Sequence, residues 1–263
     1  MILATLLLGL AIVLLHVIRA IIWDRSIHYN EVPFSGTRVS AELDGYRIAL
    51  VTDTHRISDA RLQEIVDELN RRQIDLLLLG GDFARGGGEP RRTLNMLARV
   101  KTTDGIYGVE GNHDKTEELF AAMEAEGVQV LSNSGVALGE QLYLAGVADL
   151  WIRKPDIAEA IAGAGAEQFV LLLAHNPGIT MRQSTAGVDL VLSGHTHGGE
   201  VTLFGVWAPA VHFVKAGHHF LSGWAKSRDG VPVYVCNGIG SHLFRVFARP
   251  EVTLLTLKQG VDA

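Results

Sequence analysis

The chain has a single cysteine, Cys236, in 263 residues, so no internal disulfide can form and no cysteine framework organises the fold. It also has no excess of basic residues. Lys and Arg number 23 against 29 Asp and Glu, a formal charge of −6 with a pI near 6.0. General nucleic-acid binding needs a concentrated basic face, so that class is disfavoured. A phosphate-bearing substrate is still allowed, because bound metal cations can supply positive charge locally. No internal repeat or low-complexity stretch is present. With 48% hydrophobic and 20% charged residues the chain can bury a full core, and its length fits one large domain with a short appendage.

No Lys or Arg precedes the first apolar run and no small-x-small cleavage site succeeds it, which disfavours a cleaved signal peptide. The run itself is long. Across residues 2–18 only Thr5, Gly9 and His16 interrupt Leu, Ile, Val and Ala. A membrane helix needs about 17–25 apolar residues, so the stretch is long enough if Arg19 snorkels to the interface. The expected organisation is an uncleaved membrane-anchor helix over 1–23, a linker and entry strand over 24–46, and one large domain over 47–263. Arg19 and Arg25 flank the anchor on its C-terminal side, which by the positive-inside rule places the large domain in the cytoplasm.

Within that domain short apolar runs alternate with helical periodicity. Residues 47–52 and 74–79 read as buried strands. Leu62, Ile65, Val66 and Leu69 mark one face of a helix, with Ser58 or Asp59 as its N-cap. Pro90 opens a helix carrying Leu94 and Leu97. Residues 106–109 form a third strand, and 116–126 a helix ended by Gly127. The later runs 128–131, 142–147, 169–173, 188–192, 231–236 and 252–257 read as strands. The expected fold is therefore layered α/β, with two packed sheets and helices outside.

The turns that close five of these strands carry the chemistry. They are Asp53-Thr54-His55, Gly80-Gly81-Asp82, Gly111-Asn112-His113-Asp114, His175-Asn176 and Gly194-His195-Thr196-His197. In open α/β sheets the ligand crevice lies beyond the carboxyl ends of the strands, so these five turns should converge. Carboxylate and imidazole donors without thiolate suit divalent ions such as Mn, Fe or Zn. Seven or eight candidates exceed the four that one structural zinc needs. They are enough for two ions, which can clamp a phosphoryl group and activate water.

In this order the motifs Asp-x-His, Gly-Asp, Gly-Asn-His-Asp, His and Gly-His-x-His resemble the calcineurin-like metallophosphoesterase family. The resemblance implies a four-layer metallophosphoesterase-like β-sandwich flanked by helices, here with an N-terminal apolar helix. Asn237-Gly238-Ile239-Gly240 and Arg249-Pro250-Glu251 resemble a membrane-associated branch, some members of which act on lipid-linked pyrophosphates. Glu200, after His197-Gly198-Gly199, departs from that branch, where Gln is usual. By resemblance, Asp53, His55 and His197 would hold one ion, Asp82 would bridge, and Asn112, His175 and His195 would complete a second site. His113 would be the general acid and Asp114 a candidate to orient it, while a metal-bridging hydroxide attacks phosphorus.

The implied cofactors are two divalent metal ions, Mn first, with Fe, Zn or Mg as alternatives. The implied substrate is a phosphodiester or pyrophosphate, lipid-linked in the membrane-associated reading. Two other readings compete: a phosphatase or nucleotide phosphodiesterase for soluble substrates, and a metal-retaining interaction scaffold without turnover. Arg56 and Arg85 lie just beyond ligand turns and are candidates for phosphate contact, or else solvated loop charges. In 203–228, Phe204, Trp207, Phe213, Phe220, Leu221 and Trp224 interleave with Lys215, Lys226 and Arg228, a pattern that suits either a membrane interface or a core. His28, His212, His218, His219 and His242 match no ligand position.

Overall fold

Strand periodicity decides the layering in the computed structural model, which describes residues 2–23, 26–84, 90–202, 207–208, 218–240 and 245–260. In β2 (Arg47–Val51), Ile48 and Leu50 enter one buried cluster while Ala49 and Val51 enter another. β3 (Leu76–Leu79) divides in the same way, and so does β8 (Phe169–Leu173) with Val170 and Leu172 on its far face. Successive side chains of a strand point to opposite faces, so a strand buried on both sides reads as a continuous apolar run.

The central strands belong to two six-stranded sheets. The first runs β1 (His28–Gly36), β12 (Glu251–Gln259), β2, β3, β4 (Ile106–Gly108), β5 (Gln129–Val130). The second runs β10 (Gly223–Lys226), β11 (Pro232–Val235), β9 (Leu190–Ser193), β8, β7 (Leu142–Gly146), β6 (Ser134–Leu138). Leu50, Leu78, Leu144, Leu171 and Leu192 share the core between them. Helices cover the outer faces. α2 (Asp59–Arg72) buries Leu62, Ile65, Val66 and Leu69 as its periodicity requires, and the Ser58 hydroxyl accepts from the Arg61 N–H at its start. α3 (Pro90–Leu97) and α4 (Thr116–Ala125) join it, while α5 (Ile157–Ala160) lies on the second sheet. The expected four layers are present.

Three edge strands extend the sequence reading. The stretch expected as linker and entry strand supplies a nine-residue edge strand, β1, paired in parallel with β12 from His28↔Glu251 to Gly36↔Gln259. Pro33 is tolerated there because an edge strand has one row of N–H groups without a ladder partner. β6 and β10 complete the edges of the second sheet through antiparallel pairing with β7 and β11. Neither shows a clean apolar run, because each is only partly covered.

The N-terminal stretch forms α1 (Ile2–Trp23), with Leu3, Leu6, Leu7, Leu10 and Leu14 exposed. Among the described residues no helix is long and apolar enough to cross a membrane, and the expected transmembrane helix is corrected accordingly. The side chains of His16 and Arg19, and Arg25 as a whole, lie outside the described residues.

Candidate metal centre

β2, β3 and β4 are mutually parallel, as are β7, β8, β9 and β11, so their carboxyl ends deliver the motif turns to common edges. Asp53, His55, Asp82 and His197 are all buried and offer ligand atoms within 4.8 Å of one another. Nε2 of His55 lies 3.0 Å from Nε2 of His197 and 3.7 Å from Oδ2 of Asp82. Nε2 of His197 lies 3.4 Å from Oδ1 of Asp53.

A second group adjoins the first. Nε2 of His175 is 3.1 Å from Oδ1 of Asn112, 3.2 Å from Nδ1 of His195 and 3.5 Å from Oδ2 of Asp82. The same Asp82 oxygen therefore borders both groups. Nδ1 of His175 is within 2.7 Å of the Gly80 carbonyl, a contact that aims Nε2 inward when Nδ1 carries the proton. The His113 ring sits edge-on to the His55 ring of the first group, with centroids 5.6 Å apart. The backbone N–H of His113 donates to Oδ1 of Asp82 at 2.8 Å, which ties the loop carrying His113 to the shared carboxylate.

The backbone is strained where these side chains leave it. Asp53, His55, Asp82, His195 and His197 have φ between 44° and 73°, five of the nine non-glycine residues at positive φ among those described. Such conformations cost of order 1–3 kcal/mol each and persist only where surrounding structure enforces them. Gly111 shows one means of enforcement. A Cβ at that position would collide with Oδ1 of Asp82, so only glycine lets the two turns close on each other.

Asp114 performs a different task from the expected one. Its Oδ2 accepts from the N–H groups of Asp82 (2.7 Å) and Gly111 (2.9 Å), and its Oδ1 from those of Phe83 (2.9 Å) and Ala84 (3.4 Å). A carboxylate has about four lone-pair sites, and these four amides occupy them. Asp114 therefore locks two ligand turns together, in place of the expected role of orienting the His113 ring.

Electrostatically the cluster suits a cation. Burial pushes the Asp53 carboxyl up from its ordinary range and the Asp82 carboxyl up to about 7. Burial also opposes charge on His175, but the Asp82 and Asp53 carboxylates outweigh it and raise the imidazole to about 9. His197 is held well below the ordinary range by burial, then by Arg245 and His55, which keeps its ring neutral and able to ligate. Oδ1 of Asp53 is buried and accepts no hydrogen bond among the described residues. A carboxylate oxygen left in this way beside the neutral His197 imidazole fits a divalent ion held by nitrogen and oxygen.

Arg245 was not anticipated. It is buried, and its guanidinium donates to the carbonyls of His197 (2.9 Å), Asn237 (2.9 Å), Ala248 (3.1 Å), Gly238 (3.2 Å) and Gly240, with Nη2 3.3 Å from Nδ1 of His197. Its sequence signal is a lone cation in the apolar run 243–247. Glu200, the departure from the usual Gln, places Oε1 3.8 Å from Nδ1 of His197.

Of the other expectations, Arg56 is exposed on the turn after His55, and Arg85 lies outside the described residues. Phe204, Phe213 and Lys215 lie outside them as well. Within the same segment Phe220 and Leu221 are buried, whereas Trp207 and Trp224 are exposed, so the aromatics divide between core and surface. His28 is partly buried on β1, and His219 is exposed with its Nε2 2.8 Å from the Lys226 carbonyl.

The model for "Calcineurin-like phosphoesterase" matches residues 46–199. A metallophosphoesterase of Helicobacter pylori is 31% identical over 243 residues, covering 87% of this chain and 63% of its own length. A "Transmembrane protein with metallophosphoesterase domain" of Danio rerio is 29% identical over 260 residues, covering 87% of this chain and 56% of its own. The chain thus spans about three fifths of the length of these relatives. One solved structure superposes with a TM-score of 0.50 at 8% identity, over 72% of this chain and 90% of its own, a likeness of fold alone.

Proposed function

Because this chain belongs to the calcineurin-like phosphoesterase family, we propose that it is a metal-dependent phosphohydrolase cutting a phosphodiester or pyrophosphate bond. The observation that carries the reading is Oδ2 of Asp82, poised between two groups of nitrogen and oxygen donors. Asp53, His55 and His197 on one side, and Asn112, His175 and His195 on the other, would hold two divalent ions with Asp82 shared. Such ions, when bound, supply positive charge to the phosphoryl group and lower the pKa of water. The donor set contains no thiolate, which favours Mn, with Fe, Zn and Mg as alternatives.

The protein's own residues do the rest. His113, its ring against that of His55, would deliver a proton to the leaving oxygen as general acid. Its main-chain bond to Asp82 keeps the imidazole in register with the donor groups. Asp114 holds the turns of Asp82 and Gly111 together, and Arg245 fixes the carbonyl side of the His197 turn. Arg56 directly follows His55 in sequence and is a candidate for contact with a substrate phosphate.

The test is hydrolysis of bis-p-nitrophenyl phosphate by the full chain in detergent, with and without Mn²⁺, beside Asp82→Asn. Metal-dependent turnover lost in the variant supports the reading. A folded, metal-loaded protein that turns over neither this ester nor a lipid pyrophosphate would favour the scaffold alternative.

A second reading concerns location. The exposed leucines of α1 favour association with a membrane, and the name of the Danio rerio relative agrees with it. A lipid-linked ester would then be the natural substrate, with the catalytic domain on the cytoplasmic face. Co-sedimentation with phosphatidylglycerol vesicles should fall at least tenfold on deletion of residues 2–23, since binding scales with the buried apolar area. Equal co-sedimentation of the shortened chain would remove this reading.

A further inference from the structure

The loop between β7 and α5 is built rather than slack, and it carries an indole to the edge of the candidate site. Asn133, itself at φ 53°, clamps the loop at both ends. Its Oδ1 accepts from the N–H groups of Ala148 (3.0 Å) and Asp156 (2.9 Å), and its Nδ2 donates to the Lys154 carbonyl (2.9 Å). Inside the loop, Oδ1 of the buried Asp149 accepts from the N–H groups of Trp151 (2.8 Å) and Ile152 (3.3 Å), and the N–H of Arg153 reaches the Asp149 carbonyl at 3.1 Å. The N–H of Asp149 meets Oε1 of Glu110 at 3.4 Å, which joins the loop to the residue just before the Gly111-Asn112-His113 turn.

This bracing sets the Trp151 ring edge-on to the His195 ring, with centroids 4.6 Å apart at 90°. The indole is nevertheless 41% exposed, and so is Ile152 beside it. An aromatic ring normally sheds that much water contact into a core. Here it is held at the mouth of the second donor group by a framework of hydrogen bonds.

We propose that Trp151, with Ile152, is the specificity-determining wall of the site, taking the apolar organic group esterified to the substrate phosphate. This rests on the phosphoesterase reading and names the part of the substrate that the donor groups cannot recognise. A bare phosphate or a small alkyl ester would leave the indole face in water. A ring or acyl chain would cover it.

The experiment uses p-nitrophenyl phosphodiesters whose second ester group is methyl, hexyl or phenyl, so that the same nitrophenolate leaves each time. The full-length, metal-loaded protein should favour the phenyl over the methyl ester by about tenfold in kcat/KM, carried by KM, as expected for one aromatic stacking contact. Trp151→Ala should bring that ratio close to one, and Trp151→Phe should keep most of it. A hexyl ester matching the phenyl one would identify a general apolar wall; a phenyl ester ahead of both would identify ring stacking. A ratio unchanged in Trp151→Ala would overturn the assignment.

A binding measurement separates failure of the wall from failure of the hydrolase reading. The indole N–H resonance of Trp151, identified by its absence from Trp151→Phe, is tracked in Mg²⁺-loaded protein. It should shift with phenyl phosphate and stay in place with inorganic phosphate. If no ester is turned over and the resonance still shifts, the wall stands and the hydrolase reading falls. If the resonance does not shift with phenyl phosphate, Trp151 does not meet the organic group.

Discussion

The Nε2 atoms of His55 and His197 face each other at 3.0 Å, with their rings 4.9 Å apart and within 9° of parallel. Two imidazole nitrogens at that distance form a hydrogen bond only when one carries a proton, which occupies a lone pair a metal would use. Ion binding should therefore replace this contact and stabilise the fold by mass action. At a concentration one hundred times Kd the gain is about 2.7 kcal/mol. Differential scanning calorimetry should show the melting temperature rising by several degrees with Mn²⁺. His197→Ala should lose most of that rise, and an undiminished rise in the variant would place the ion elsewhere.

Metal affinity should increase with pH. In the metal-free protein the Asp82 carboxyl is raised from 3.8 to about 7 by burial, and His175 from 6.5 to about 9 by the neighbouring carboxylates against the opposing effect of burial. Both shifts favour the protonated form in the fold. Their contribution to metal-free stability is thus present at low pH, and is lost as pH rises from about 4 to 7 for Asp82 and from about 6.5 to 9 for His175. A divalent ion must displace these protons. Calorimetric titrations at pH 6.5 in two buffers of different ionisation enthalpy should report net proton release. Identical heats in the two buffers would contradict the assignment of these groups as ligands.

His113→Ala should lower kcat by about 10²–10⁴ on an ester with a poor alkoxide leaving group, the range expected for loss of a general acid. The loss should be much smaller with p-nitrophenolate, which departs without a proton. Comparing the two esters under identical metal loading gives the answer, and equal losses on both would point to a structural role instead.

Arg245→Met should destabilise the protein by about 3 kcal/mol, because it strips a charged donor from several buried carbonyls. The metal centre should suffer with it. Gly238, whose carbonyl Arg245 holds, has φ 66° and lies so close to Asp53 that an added Cβ would stand 2.6 Å from the Asp53 Cβ. Urea unfolding and metal content by mass spectrometry would show both effects together. A variant with full metal content and unchanged stability would make Arg245 incidental.

The strands β2, β3 and β8 were legible because both their faces are buried, which leaves an unbroken apolar run. The edge strands β1 and β6 were less so, since pairing to one neighbour requires little of their side chains. The same contrast governs the site. His and Asp in the turns after apolar runs announced themselves, but Asp114 looked like a partner for the adjacent imidazole. Only the folded chain shows its oxygens occupied by amides of the 82–84 turn, some thirty residues away in sequence. Arg245 and Trp151 had weaker signals still, because their importance lies in which carbonyls and which ring they meet.

By itself the sequence determined the alternation of buried strands and amphipathic helices, and it placed metal-type donors at the strand ends. Both come from local periodicity and residue chemistry, which survive without coordinates. Tertiary structure alone decided that Asp82 borders both donor groups, that Asp114 clamps backbone, and that a braced loop carries Trp151 to His195. Those relationships join residues distant in the chain, and only the parallel registers of the two packed sheets bring them within hydrogen-bonding or van der Waals reach.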